Sequence, residues 1–239
     1  MANPHFQNLI LWAGNNVASK HKKDLPMFVP YPSDQTYYMY HNDFFTYNSG
    51  DWTVTTTEAG TGSASEAITS GAGGHLLLTN AAGDNDLDFL QLKGEAFKLS
   101  TSKRAYFSAR FKVSDVDQSD FVIGLGITDT TPLDTTDGVF FISADGDAGL
   151  DFLVEKDNSN TSTEDVATMA DDTFITVSFF LDPDRSSQVY YSVNNADPVG
   201  VTNANLPDDE ELTVSFGIQN GEAAAKTMTI DYVVAAVER

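Results

Sequence analysis

Alternation of apolar and polar side chains with a period of two dominates this chain, and it is densest over residues 121–155, FVIGLGITDTTPLDTTDGVFFISADGDAGLDFLVE. A pleated strand sends successive side chains to opposite faces, so Phe121, Ile123, Leu125 and Ile127 share one face and Val122, Gly124, Gly126 and Thr128 the other. A Thr/Pro/Asp-rich connection follows. Val139 to Ser143 then predicts a second strand, Asp145-Gly146-Asp147-Ala148-Gly149 a turn, and Leu150 to Glu155 the return strand of a hairpin. The period recurs at Ala105 to Val113, with Phe107, Ala109, Phe111 and Val113 directed inward and Tyr106, Ser108, Arg110 and Lys112 toward water. Thr173 to Leu181 repeats it, Gln188 to Val193 and Val199 to Thr202 predict a further hairpin, and Leu212 to Ile218 alternates without a break. From Met228 to Ala236 the pattern places Met228, Ile230, Tyr232, Val234 and Ala236 on one face. Roughly ten to thirteen short strands joined by turns, with no strand–helix–strand spacing, predict an all-β fold of two antiparallel sheets packed face to face. Residues 56–74, small and polar, read as a loop or a weak edge segment.

A chain of 239 residues that is 41% hydrophobic, with 16 Phe and 9 Tyr, can fill one such sandwich. No apolar run reaches the length of about eighteen residues that a membrane span needs. The first residues, MANPHFQNLILWAGNN, lack a basic flank and are not read as a secretory signal. A net charge of −22 argues against nucleic acid and anionic membrane as partners, because phosphate binding needs a basic face. The charge reads instead as solubility. The absence of cysteine excludes a disulfide framework and cysteine-held zinc.

The charge is unevenly placed. Lys20, Lys22 and Lys23 against Asp24 and Asp34 give residues 1–42 a balance of +1, whereas residues 43–239 carry 10 basic and 33 acidic side chains, a balance of −23. Phe6, Leu9, Ile10, Ala13 and Val17 fall at helical spacing, which suits a short amphipathic helix weakened by Gly14-Asn15-Asn16. Pro26, Pro30 and Pro32 bias their predecessors toward extended backbone, so the rest of the segment reads as an arm. Its aromatic residues need cover, either from the chain's own domain or from a neighbour. The expected organisation is therefore an anchor at 1–42 and a sandwich at 43–239. The candidate partner-binding residues are Phe6, Leu9, Ile10, Trp12, Lys20, Lys22, Lys23, Phe28, Tyr31, Tyr37 and Tyr38.

Asp145, Asp147 and Asp151 offer three carboxylates within seven residues, a density suited to Ca²⁺, although an Asp/Gly-rich turn has the same composition. The spacing is not that of an EF-hand, since Lys156 stands where the twelfth-position Glu belongs. Asp84, Asp86 and Asp88 form a second cluster that shares one face if extended. Tyr190, Tyr191, Phe174 and Phe180 are the aromatic candidates for a sugar platform, or for contact with the arm. No phosphate-binding loop, nucleophile elbow or HExxH pattern is present.

The order of strands over 43–239 resembles the concanavalin A-like jelly roll of legume lectins and laminin-G-type domains. The residues that carry the likeness are RAYFSARFKV, FVIGLGI, GVFFIS with LDFLVE, FITVSFFLD with SQVYYSV, and LTVSFGIQNG with TMTIDYVVAAVE. Many domains of that fold hydrolyse glycosides with a Glu-x-Asp-x-x-Glu strand. Here Glu155-Lys156-Asp157 is followed by Asn160 where the third carboxylate belongs, so the chain is expected not to be an enzyme. The whole chain, with its arm and its acidity, also resembles virion proteins of tailed bacteriophages that carry such a sandwich on the head surface. That resemblance implies a decoration or cement protein on the capsid surface, bound to the major capsid protein, another virion protein or sister subunits, and a homo-oligomer. The alternative is a carbohydrate-binding, lectin-like adhesion module, calcium-dependent if the aspartates hold a metal; no other cofactor is expected.

Overall fold

The structure, a computed structural model, describes residues 37–185 and 188–239, with only the backbone of Gln188. Fifteen strands occur among the described residues. They are β1 (Tyr37–Asn42), β2 (Trp52–Thr57), β3 (Ser65–Thr69), β4 (His75–Thr79), β5 (Leu87–Leu92), β6 (Ala105–Val113), β7 (Ser119–Gly126) and β8 (Gly138–Ser143). These continue as β9 (Gly149–Lys156), β10 (Ser159–Thr168), β11 (Ile175–Leu181), β12 (Gln188–Val193), β13 (Val199–Thr202), β14 (Thr213–Asn220) and β15 (Thr227–Glu238). One sheet has seven strands in the order β10-β9-β8-β7-β14-β5-β2. The other has eight, in the order β13-β12-β11-β6-β15-β4-β3, with β1 also paired to β15. Every pairing is antiparallel, as in a jelly-roll sandwich. No helix among the described residues is long and apolar enough to cross a membrane.

The inward rows of the two sheets interlock into one core. Phe107 and Phe111 of β6, Phe121 of β7, Phe141 of β8, Phe152 of β9, Phe179 of β11 and Phe216 of β14 are all fully buried in it. Aromatic contacts cross between the sheets, as Phe152 meets Phe179 at 6.1 Å and Phe111 meets Phe121 edge-on at 5.5 Å. Burying such rings is the main favourable term in a sandwich that has no disulfide.

Three sequence expectations change. Tyr37, Tyr38 and Tyr40, assigned to the arm, belong to β1, so the sandwich begins six residues earlier than Asp43. Tyr38 and Tyr40 pack on the core, which explains why this polar-looking aromatic run pairs with β15. In β15 the register shifts between Ile230 and Tyr232, and this bulge reverses the faces. Met228 and Ile230 point inward before it, and Val233, Ala235 and Val237 after it. Finally, the outward residues of β6 are not simply wet, since Ser108 is buried and Tyr106 half-buried.

Candidate functional site

β1 ends at Asn42, and the chain then turns sharply through Asp43-Phe44-Phe45. Asn42 fixes the turn: its Oδ1 accepts the Phe44 N–H at 2.9 Å and its Nδ2 donates to the Tyr40 hydroxyl at 3.1 Å. Phe44 has φ 46°, a left-handed conformation that is strained for a bulky residue. The strain is held by packing on both sides. The Phe44 ring is fully buried edge-on to Phe216 at 6.2 Å, and the Phe44 carbonyl lies where a Cβ on Gly74 would stand. The consequence falls on the next residue: Phe45 is turned out of the core and is 74% exposed. Beside it lies an open groove of about 390 Å³ lined by His41, Asn42, Asp43, Phe45 and Thr46. An aromatic ring, an amide, a carboxylate and a hydroxyl thus meet at one surface site.

The outer face of the seven-stranded sheet is built differently. Strand register places Leu153, Phe140, Gly124, Ser215, Gln91 and Thr53 in one outward row. The adjacent row is Asp151, Ile142, Val122, Gly217, Phe89 and Thr55. Phe140 lies flat over Gly124, Gly126 and Gly138, and Phe89 over Gly217, positions where any Cβ would collide with a ring or the neighbouring backbone. Leu87, Phe89, Val122 and Phe140 form a second buried apolar cluster here, and Leu133, from the 3₁₀ turn Pro132–Asp134, packs on it with Leu153. The segment is tied down where Gln91 donates to the Ile127 carbonyl at 2.9 Å and accepts the Asp129 N–H at 3.0 Å. At the end of this face Glu155 has its carboxyl pushed above the ordinary range, first by burial and then by Asp134 and Asp137. Asp137 is already engaged by the Asp157 N–H and the Thr136 hydroxyl.

Asp145, Asp147 and Asp151, the aspartates proposed for calcium, are each placed against a different stretch of backbone. Asp147 accepts the Gly149 N–H at 2.8 Å and Asp151 accepts the Asp165 N–H at 2.8 Å, while Asp145 lies against Gly221. The Asp147 and Asp151 carboxylates thus cap backbone N–H groups. Among the described residues no group of three or more His, Cys, Asp or Glu side chains is placed to hold a metal. The second cluster also separates. Asp84 is exposed, and Asp86 accepts the N–H groups of Ala59, Gly60 and Gly83, which hold its carboxyl below the ordinary range. Asp88 is fully buried between the sheets beside Glu66, and neither of its carboxylate oxygens meets a donor. Tyr47 donates to Glu66 Oε2 at 3.3 Å.

Phe180 and Tyr190 stack at 5.0 Å on the outer face of the eight-stranded sheet, whereas Tyr191 points inward to Phe152. Phe174 lies apart from them under the Arg110 guanidinium, 4.1 Å from the ring centre, and Arg110 is ion-paired to Asp231. Of the partner-binding candidates, Tyr37 and Tyr38 lie in β1, and Tyr38 packs on Phe97 at 5.9 Å. Phe6, Leu9, Ile10, Trp12, Lys20, Lys22, Lys23, Phe28 and Tyr31 lie outside the described residues. Phe45 escaped the sequence reading because Phe44-Phe45 looks like the start of a strand. The available signal was the Asn-Asp pair before it, a favoured turn opening.

No family model matches this chain, and no curated protein matches it by sequence. Solved structures do. An endo-1,3-β-glucanase from Streptomyces sioyaensis superposes with TM-score 0.61 at 12% identity, covering 87% of this chain and 98% of its own. A protein of unknown function from Shewanella oneidensis gives 0.60 at 16% identity, covering 85% and 87%. Peanut lectin gives 0.54 at 13% identity, covering 84% and 97%. At these identities the likeness establishes the fold, a concanavalin A-like jelly roll.

Proposed function

We propose that the protein is a carbohydrate-binding, lectin-like module that holds a glycan in the Phe45 groove without cleaving it. The observation that carries this reading is the outward-turned Phe45 ring beside Asn42, Asp43 and Thr46. A sugar ring offers C–H groups on its face and hydroxyls at its rim; an aromatic plane accepts the first, and amide, carboxylate and hydroxyl groups pair with the second. The Asn42 amide keeps one N–H and one acceptor site beyond its two bonds within the turn. Binding without hydrolysis is supported by the outer face of the seven-stranded sheet. Asp151 and Glu155 share a face of β9 with Leu153 between them, and the Asp151 carboxylate is engaged by the Asp165 N–H. Its centre is filled by Phe140 and Leu133. The acidity of the chain favours neutral over anionic sugars. The glucanase and lectin among the similar structures are in keeping with a sugar ligand. A capsid-decoration role draws its support from the charge split between residues 1–42 and the rest.

A glycan array probed with and without chelator tests the reading, followed by titration of the hits against Phe45→Ala. We expect neutral oligosaccharides to bind in both conditions and the variant to lose at least tenfold in affinity, about 1.4 kcal/mol, with its thermal midpoint unchanged. An array silent in both conditions would sink the proposal.

A further inference from the structure

The outer face of the eight-stranded sheet carries a trough that runs across its strands. Register places Met39, Ala236, Tyr106, Phe180 and Tyr190 in one outward row. The next row is Val234, Ser108, Ser178 and Ser192. The row beyond it holds Tyr232, Arg110 and Thr176. A row of small serines thus lies between an aromatic row and a row of Tyr232 and Arg110, with the Tyr232 hydroxyl leaning over Ser108. All three serines are buried although they point away from the core, and Phe180, also outward, is only 7% exposed. Ser108 donates to the Val177 carbonyl at 3.1 Å and lies 3.4 Å from the Tyr232 hydroxyl, and Ser192 donates to the Ala196 carbonyl at 2.7 Å, so these hydroxyls have partners within the sheet.

We propose that this trough is a docking surface for residues 26–32 of the same chain, Pro-Met-Phe-Val-Pro-Tyr-Pro. Reach, shape and composition agree on that occupant. The described chain begins at Tyr37, paired with Glu238 in this very sheet and two outward rows from the serines, about 13 Å along the strand. The four residues between Pro32 and Tyr37 span up to about 14 Å. Four strands at about 4.8 Å spacing need five to six extended residues to cross, and Pro26, Pro30 and Pro32 favour the extended backbone that such a crossing requires. Met27, Phe28, Val29 and Tyr31 supply apolar side chains to the aromatic row. The lysines at 20, 22 and 23 then lie beside a domain of opposite charge.

Chymotrypsin reads this directly, because the Phe28–Val29 bond is its cleavage site, whereas Pro32 blocks cleavage after Tyr31. In the full chain we expect cleavage there at least tenfold slower than in a synthetic peptide of residues 20–38, at a rate independent of protein concentration. Ser178→Tyr, which fills the trough, should restore the peptide rate while the near-ultraviolet spectrum of the sandwich is retained. Since the chain has no cysteine, the pair M27C and S192C gives a second measurement should Ser178→Tyr not fold, with a monomeric disulfide as the expected product. Cleavage at the peptide rate in the unaltered chain would overturn the proposal. So would protection that is lost on dilution or a disulfide found only in dimers, since either result would seat a second copy's segment in the trough.

Discussion

Replacing Asp88 with Asn should change how the stability of this protein depends on pH more than how stable it is in acid. Asp88 faces inward from β5 with Leu90, and Glu66 faces inward from β3 across the open side of the sandwich, where Val54 and Ile68 stand partly in water. Two ionised carboxylates have no hydrogen to share, which is why Asp88 meets no donor, but one proton between them makes a hydrogen bond. Burial first, then Glu66 and Glu58, push the Asp88 carboxyl up to about 8. In the unfolded chain the same group titrates near 4, so folding takes up a proton at neutral pH. The stabilisation is complete below about pH 4 and is lost as pH rises through about 8. The loss runs at about 1.4 kcal/mol per pH unit, or roughly 5 kcal/mol across the window as an upper bound. Asp88→Asn keeps a donor for Glu66 and removes the titration. Urea unfolding at pH 4 to 9 should therefore give similar midpoints near pH 4 and a variant that is several kcal/mol more stable by pH 8. The general repulsion of a −22 chain is shared by both proteins and cancels in the difference. Parallel stability curves over that range would refute the shared proton.

Two further substitutions test the parts that hold the Phe45 groove and the loops in place. Gly74 has φ 94° and no room for a Cβ against the Phe44 carbonyl, so Gly74→Ala should cost about 2–4 kcal/mol and weaken sugar binding by displacing the turn. Differential scanning calorimetry and the same titration would measure both. Lys226 is buried with its ammonium 2.6 Å from both Asp115 and Glu222. Lys226→Met leaves those partly exposed carboxylates facing each other and should cost about 1–3 kcal/mol, read as a lower urea midpoint at unchanged slope.

Period-two alternation made the sandwich legible, because half-buried strands such as β6 and β11 must place Phe107, Phe111 and Phe179 on one side. It failed where local pattern and tertiary partner disagree. β10, SNTSTEDVAT, is a polar edge strand with no apolar face to announce it, and the bulge at Asp231 breaks parity inside a run that looks regular. The site was harder still. One backbone angle at Phe44 decides that Phe44 is core and Phe45 is surface, and two adjacent identical letters cannot reveal it. Asp86 and Asp88 look equivalent in sequence, yet one caps three backbone N–H groups and the other faces Glu66 from the opposite sheet, a neighbour that only the packing of β3 over β5 supplies.

The position of β15 also bears on how the molecule comes into being. This strand pairs with β6 along one side and with both β1 and β4 along the other, so three separate stretches of chain depend on it. Tyr37 waits for Glu238, about 200 residues downstream, and contacts of that separation are slow to form. During synthesis the eight-stranded sheet therefore lies split, with β6, β11, β12 and β13 on one side of a gap and β1, β3 and β4 on the other, each presenting an unpaired edge until the ribosome has released β15. Premature pairing of those edges with another chain is the hazard that this topology creates, and the high density of negative charge on the nascent polypeptide opposes it before any native contact exists.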